Sequence, residues 1–151
     1  MNRQDAVTEL MLETFRLNGA LLSRGDALVA DIGLTSARWQ VLGAIALAPV
    51  PLPVAHLARQ PHVARQGVQR IADEMARGGL VRFAPNPHHA RAKLVLLTPR
   101  GQAAYDAAIR REGPWAARLG EGISVKALEA ALAVMRTLRQ RLEAEEEEAA
   151  A

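Results

Sequence analysis

The sequence predicts a mainly α-helical fold with one small β-hairpin. Apolar residues recur every three or four positions in long segments at both ends of the chain, which is the spacing of amphipathic helices. Between these segments, two short runs of β-forming residues flank a polar connection, which is typical of a hairpin. The length of 151 residues suits one domain of ordinary size, and the absence of cysteine excludes disulfides and thiolate metal sites.

Long helices are predicted at both chain ends. The first covers residues 5–30, and its apolar stripe consists of Val7, Leu10, Met11, Leu17, Leu21, Leu22, Leu28 and Val29. Ser124 is a good N-cap for the last helix, whose stripe consists of Leu128, Leu132, Met135, Leu138 and Leu142. We expect Gly113-Pro114 to bend or break the helix that begins at Thr98-Pro99, because proline removes a backbone donor. The acidic tail over residues 143–151 lacks an apolar period and is expected to fray.

The middle of the chain is predicted to contain three shorter helices. One begins at Thr35 or Ser36 and stops before the proline-rich segment 49–53, which cannot be regular helix and is expected to be a connector. A short helix follows the connector. The third helix is expected from residue 62 or 63 to residue 77, where Gly78-Gly79 ends it.

The predicted hairpin pairs residues 80–83 with residues 93–97 around a long basic tip. Two helices joined by a tight turn and followed by a hairpin have the order of a winged helix-turn-helix. In such a fold the second helix enters the major groove of DNA. We therefore expect a winged helix-turn-helix domain over residues 34–98, with its wing over residues 80–97.

Positive charge is concentrated in one part of the sequence. Residues 56–100 contain eight lysine or arginine side chains and two acidic ones, although the whole chain has a net charge of only +3. The same segment contains all four histidines, namely His56, His62, His88 and His89. A local excess of positive charge is typical of a protein that binds nucleic acid.

The helix predicted over residues 62–77 has polar side chains suited to DNA. The positions outside its apolar stripe include His62, Arg65, Gln66, Gln69 and Arg70. Arg65 and Gln69 are four residues apart, as are Gln66 and Arg70, so the members of each pair share a helical face. Because arginine can bind guanine and glutamine can bind adenine in the major groove, we interpret this segment as a recognition helix.

Several motifs resemble those of a known family. Residues 34–42 (LTSARWQVL) are similar to an LTxxQxxVL helix start, and Leu57-Ala58 with residues 67–73 (GVQRIAD) is similar to an LA…TVTRLVD pattern. Residues 79–82 and 86–101 are similar to a wing pattern, GLVxR…NPxDxR…LTxxG. By the order and spacing of these pieces, the chain resembles the MarR family of bacterial transcription regulators over essentially its whole length.

The resemblance implies a DNA-binding homodimer in which the first and last helices of both chains interlock. Residues 1–33 and 99–151 are therefore expected to form a helical dimerisation region. Arg91, at the wing tip, would enter the minor groove. The family's aspartate two residues before this arginine is His89 here, which removes an expected ion pair. The expected DNA contacts are Ser36, Arg38, His62, Arg65, Gln66, Gln69, Arg70, His88, His89, Arg91 and Lys93.

The function predicted from these observations is a dimeric repressor that binds a pseudo-palindromic site in double-stranded DNA and is released by a small-molecule effector. Arg16, Trp39 and His56 are candidate effector contacts in the cleft that the resemblance implies. Two alternatives stay open. One is a metal-responsive regulator of the same fold that uses the histidines, and the other is a protein-interaction module that does not bind DNA.

Other functional classes have no support in the sequence. HExxH and GxSxG motifs, a glycine-rich phosphate loop and a nucleophile–base pair are all missing, so we do not expect an enzyme. Neither a cofactor nor a metal ion is expected. The N-terminal residues do not resemble a signal peptide, and no segment has the roughly 18 consecutive apolar residues of a membrane span. We therefore expect a cytoplasmic protein.

Overall fold

The computed structural model describes residues 1–59 and 67–150. The chain forms two compact units, Met1–Gly113 and Pro114–Ala151. It is mainly helical with one small antiparallel sheet, which confirms the fold class predicted from the sequence. No helix in the described residues is long and apolar enough to cross a membrane.

Helix α1, Arg3–Val29, is the long first helix predicted from the sequence. It begins where the side chain of Asn2 accepts a hydrogen bond from the amide of Asp5 at 2.9 Å. A single 3₁₀ turn, Ala30–Ile32, follows it. Gly33 then adopts the left-handed region, with φ +76°, and turns the chain toward the second helix.

Helix α2, Ser36–Leu47, meets α1 at a tight corner. The amide of Ser36 donates to the carboxylate of Asp26 at 2.6 Å, and its hydroxyl donates to the carbonyl of Leu22 at 2.9 Å. A Cβ atom at Gly25 would lie 2.5 Å from the Ser36 hydroxyl. A side chain at this position would therefore displace the Ser36 hydroxyl from its hydrogen bond to Leu22.

The proline-rich connector contains a short strand that was not predicted from the sequence. Strand β1, Leu52–Pro53, pairs antiparallel with a later strand, with Leu52 opposite Val95 and Pro53 opposite Leu94. Proline is tolerated here because β1 lies at the edge of the sheet, where one side of the strand needs no donor for pairing. Helix α3, Val54–Leu57, follows directly.

Helix α4, Val68–Arg77, begins later than the helix predicted over residues 62–77. Gly67 has φ +75°, a left-handed conformation that cannot continue a right-handed helix, so α4 starts after it. Residues 60–66 lie outside the described part of the chain. The apolar face of α4 is buried and consists of Val68, Ile71, Ala72 and Met75.

A three-stranded antiparallel sheet includes the predicted hairpin. Strands β2, Val81–Ala84, and β3, Leu94–Leu97, pair with Val81 opposite Leu97. The strand order is β1-β3-β2, so β3 lies in the middle. We call the connection between β2 and β3, residues 85–93, the wing tip.

The core of the first unit lies where α2, α3, α4 and the sheet meet. Its largest fully buried side chains are Val29, Val41, Leu42, Leu57, Met75 and Val95. Burying a side chain of this size contributes roughly 1.5–3 kcal/mol. Because α4 places Met75 in this core, the core also fixes which face of α4 points outward.

Helix α5, Pro99–Leu119, is tied to the junction between α1 and α2 by Arg111. The Arg111 guanidinium donates to both carboxylate oxygens of Asp31, with Nη2 at 2.8 Å from Oδ2. It also donates to the carbonyl of Leu28 at 2.9 Å. The hydrogen bond from Arg111 lowers the pKa of Asp31, so this carboxylate stays ionised to lower pH than usual.

Pro114 does not break α5, so the break, one of the two outcomes expected at Gly113-Pro114, does not occur. The helix continues through Pro114 to its end at Leu119. A residue before proline usually avoids the helical conformation, in part because its Cβ clashes with the proline ring. Gly113 has no Cβ, and the space around it is open.

The second unit contains helix α6, Val125–Ala150. Its cap is as predicted, since the Ser124 hydroxyl accepts a hydrogen bond from the amide of Ala127 at 3.2 Å. The helix runs through the acidic tail to Ala150, in contrast to the fraying expected from residue 143. Alanine and glutamate are strong helix formers, and Arg139 pairs with Glu143 at 2.7 Å one turn along.

Gly101, near the start of α5, gives a test of this packing. A Cβ atom there would overlap the carbonyl oxygen of Leu80. We expect Gly101→Ala to destabilise the protein by at least the roughly 1–3 kcal/mol of ordinary overpacking, because backbone atoms cannot move aside cheaply. Thermal unfolding followed by circular dichroism measures the change. Gly19→Ala is the control and should not lower the Tm, since a Cβ there would meet no atom within 4 Å outside its own stretch of α1. An unchanged Tm for Gly101→Ala would contradict the close approach.

Candidate nucleic-acid interface

The outward face of α4 contains charged and polar side chains. Gln69, Arg70 and Arg77 are exposed, and Asp73 and Glu74 are half-buried. The opposite face packs into the core, so α4 presents these side chains to solvent in one orientation. The described part of the predicted recognition helix is therefore amphipathic in the expected sense.

Acidic residues one turn further along α4 hold Gln69 and Arg70. The side-chain amide of Gln69 donates from Nε2 to Asp73 Oδ1 at 3.0 Å, and Arg70 donates from Nη1 to Glu74 Oε1 at 2.6 Å. Both pairs have the i,i+4 spacing that brings side chains together on a helix. Sequence reasoning considered these acids only as charge and did not assign them this role.

Arg38 of α2 reaches the same carboxylate from the other side. Its Nη2 donates to Glu74 Oε2 at 3.3 Å, and its Nη1 donates to the carbonyl of Gly33 at 3.4 Å. Hydrogen bonds from Arg70 and then Arg38 lower the pKa of Glu74, so this side chain is ionised at neutral pH. We call the cluster of Arg38, Glu74 and Arg70 the α2–α4 bridge.

Asn86 organises the wing tip. Its side-chain Nδ2 donates to the carbonyl of Ala92 at 2.9 Å, and its Oδ1 accepts from the amide of His88 at 3.0 Å. The amide of His89 donates to the carbonyl of Asn86 at 3.3 Å and closes the turn. Asn86 belongs to a motif in the sequence, but nothing in the spacing indicated that its side chain bonds to both His88 and Ala92.

The wing tip presents its basic side chains to solvent. His88, His89, Arg91 and Lys93 are all exposed. Within the described part of the chain, neither Arg91 nor Lys93 forms an ion pair. Neither cation is therefore held in an ion pair by a carboxylate of residues 1–59 or 67–150.

A cleft of about 400 Å³ lies between α4 and the wing. It brings together three of the predicted DNA contacts, Gln69, Arg91 and Lys93. The cleft also has lining residues that sequence reasoning missed, namely Pro53, Val54, Ala55, Asp73, Phe83 and Ala92. The residues around Pro53 lie here because β1 pairs with β3, and no local pattern in the sequence indicates that pairing.

The remaining predicted DNA contacts differ in how far their side chains are exposed and in whether they belong to the described part of the chain. Ser36 is only 6% exposed and its hydroxyl is bonded to α1, which corrects the expectation that this side chain meets DNA. Arg38 has a side chain that is 34% exposed and is held in the α2–α4 bridge. The predicted contacts that lie outside the described residues are His62, Arg65 and Gln66.

The three candidate effector contacts lie on different elements. Arg16 is exposed on α1 and pairs with Glu13 at 3.4 Å. Trp39 of α2 is half-buried against the core, and His56 is exposed on α3.

Possible metal ligands do not converge in the described residues, where no group of three or more histidine, aspartate or glutamate side chains could hold a metal ion. The neighbouring His88 and His89 both lie exposed at the wing tip.

Sequence comparison identifies related proteins. A family model described as "MarR family" matches residues 32–92, which include α2, α3, α4 and most of the wing. An uncharacterised protein of Mycobacterium tuberculosis is 33% identical over 141 residues, which cover 93% of this chain and 97% of that protein. The transcriptional activatory protein BadR of Rhodopseudomonas palustris is 28% identical over 106 residues, which cover 69% of this chain and 61% of BadR.

Solved structures agree with these relatives. The MarR family transcription regulator SP03579 has a TM-score of 0.79 and 26% identity, with 95% of each chain covered. CouR from Rhodococcus jostii RHA1, solved with bound p-coumaroyl-CoA, shares the fold with a TM-score of 0.74 and 20% identity, covering 85% of this chain and 90% of CouR. The comparisons confirm the resemblance seen in the motifs and the expectation of a regulator rather than an enzyme. The chain belongs to the MarR family and is a DNA-binding regulator of transcription.

Proposed function

We propose that the chain acts as a homodimeric repressor that binds a pseudo-palindromic operator and is released by a small-molecule effector. The observation that supports this most is the arrangement of the outward face of α4 beside the wing. Gln69 on α4 and the cations Arg91 and Lys93 on the wing line the same cleft. A recognition helix in the major groove with a wing over the adjacent backbone requires such an arrangement.

The proposed DNA contacts divide by chemistry. Arg65, Gln66 and Gln69 are proposed to contact base edges, since arginine suits guanine and glutamine suits adenine. Arg38, Arg70, His62, His88, His89 and Lys93 are proposed to contact phosphates, which fix the register without reading sequence. Arg91 is proposed to enter the minor groove.

Exposed apolar side chains support the homodimer. Phe15 on α1 is 72% exposed, and neighbouring Leu12 is also exposed. On α6, Leu128, Leu132 and Met135 are exposed at helical spacing. Apolar surface of this extent is typical of an interface, so we propose that residues 1–33 and 99–151 of two chains pack together.

An effector releases DNA only if it binds the DNA-incompetent shape more tightly than the competent one. The bound p-coumaroyl-CoA of CouR supports a small-molecule effector for this chain as well. Arg16, Trp39 and His56 are the proposed effector contacts. Because BadR is described as an activatory protein, a reporter gene placed behind the operator must establish the sign of regulation.

Selection from a randomised pool of duplex DNA tests the proposed function. We expect enrichment of a pseudo-palindrome whose half-sites are about 10 bp apart, since a symmetric dimer reads adjacent major grooves on one side of the duplex. The affinity for the selected duplex should fall steeply with salt. A homogeneous protein that enriches no sequence would contradict the proposal, and it would favour the protein-interaction alternative.

Arg70→Ala tests the contact between α4 and the DNA backbone. We expect it to weaken binding to the selected duplex and to reduce the salt slope on that duplex by about two, because each protomer of the proposed dimer loses one phosphate contact. Fluorescence anisotropy at several salt concentrations measures both quantities. Arg110→Ala, which removes the same charge from an exposed position on α5, is the matched control. Equal affinities of Arg70→Ala and the control would exclude the contact.

Asn86→Ala tests the wing tip. Loss of the bonds to Ala92 and His88 should loosen the tip, so that Arg91 is ordered only on binding. We expect affinity for the selected duplex to fall by a factor of about 2 to 10, the range for immobilising one long side chain. The Tm should change little because the tip is exposed. Unchanged affinity would show that the tip does not need Asn86 to bind DNA.

Leu132→Arg tests the homodimer. Light scattering should give twice the 16.3 kDa of one chain for the wild type and a shift toward the monomer for the variant, because a buried arginine would lack a partner. Gln140→Arg adds the same charge at another exposed position of α6 and should stay dimeric. A monomeric wild type at micromolar concentration would contradict the proposed dimer.

A further inference from the structure

The α2–α4 bridge places a carboxylate between two arginines on the face proposed to meet DNA. Side-chain exposure rises from 27% at Glu74 to 34% at Arg38 and 68% at Arg70. Glu74 and Arg38 therefore form the less exposed part of the bridge, and Arg38 is further held by the carbonyl of Gly33. Arg70 is the member whose guanidinium is most accessible to a ligand.

A carboxylate in this position has two physical effects on an approaching duplex. It repels phosphates, which weakens binding to DNA of any sequence. It also restrains Arg70 before DNA arrives, which reduces the conformational entropy lost when the side chain is immobilised in a complex. The repulsion acts in every register of the duplex. The restraint helps only in a register that places a DNA acceptor where Arg70 already points.

We propose that Glu74 is a positioning residue that determines specificity, because it holds Arg70 in one orientation and opposes contacts with phosphates in other registers. The inference rests on the proposed contact between α4 and DNA. Glu74 lowers the affinity for DNA in general and keeps the affinity for the operator, so it increases the ratio between the two. This ratio, rather than the affinity alone, decides whether a regulator finds its site among competing DNA.

Two substitutions separate the effect of the negative charge of Glu74 from the effect of its side-chain length. Glu74→Gln removes the charge and should raise affinity for a scrambled duplex by a factor of about 2 to 10, with a salt slope steeper by about two, because Arg70 of each protomer becomes free to contact phosphates. Affinity for the selected duplex should rise less. Glu74→Asp keeps the charge, but its shorter side chain cannot reach both arginines. Glu74→Asp should therefore also lower the ratio of the affinity for the selected duplex to the affinity for the scrambled duplex.

Glu121→Gln is the matched control, because it makes the same change in charge in the exposed turn between α5 and α6. We expect its affinity ratio to equal that of the wild type. If Glu74→Gln raises affinity for both duplexes by the same factor, Glu74 contributes only charge and the inference is wrong. An unchanged ratio in Glu74→Asp with an unchanged Tm would overturn it as well.

A measurement without DNA separates this inference from the proposed function. Nuclear magnetic resonance relaxation of the Arg70 side-chain Nε–H group should report a restrained guanidinium in the wild type and a mobile one in Glu74→Gln. Equal mobility in the two proteins would overturn the positioning role. A restrained Arg70 in a wild type that selects no DNA sequence would instead contradict the proposed function.

Discussion

The corner between α1 and α2 is the constraint on which the DNA-facing geometry depends. Ser36 bonds to α1 through both its amide and its hydroxyl, and Gly25 leaves the space for this contact. Helix α2 in turn packs against α4 in the core, and Arg111 holds the same corner from α5. The first unit therefore connects α1 to α4 through packed and hydrogen-bonded groups. Because α2 packs against both α1 and α4, this corner helps to set the orientation of α4.

Local signals in the sequence were sufficient for most of the fold. Helical periodicity, the Ser124 cap and the β-type runs act within a few residues, so the order of elements could be predicted. The features that were missed or wrong depend on contacts between residues far apart in the sequence or on the backbone conformation of a glycine. Strand β1 forms because Leu52 meets Val95, far along the chain. Glycine can adopt either sign of φ, so the presence of Gly67 in the sequence did not indicate that α4 begins after it.

In the candidate site, too, local spacing in the sequence indicated some features, whereas others depend on the packing of distant elements. Sequence periodicity placed Gln69 and Arg70 on the outward face of α4, where they lie, and the i,i+4 spacing of Glu74 could have indicated its pairing with Arg70. Arg38 is 36 positions from Glu74 in sequence, so only the packing of α2 on α4 reveals the bridge. The burial of Ser36 was equally hidden, because a serine at a helix start usually caps the helix and stays accessible.

The outer strands of the sheet also decide how this chain can associate. Strand β1 consists of two residues, one of them a proline that cannot donate a hydrogen bond to a neighbouring strand. On the opposite edge, β2 is four residues long and has the charged, exposed Arg82 in its middle. Short, charged and proline-containing edges are poor templates for another strand. Growth of the sheet from chain to chain is therefore blocked at both sides, which protects a protein with large exposed apolar helices from strand-mediated aggregation.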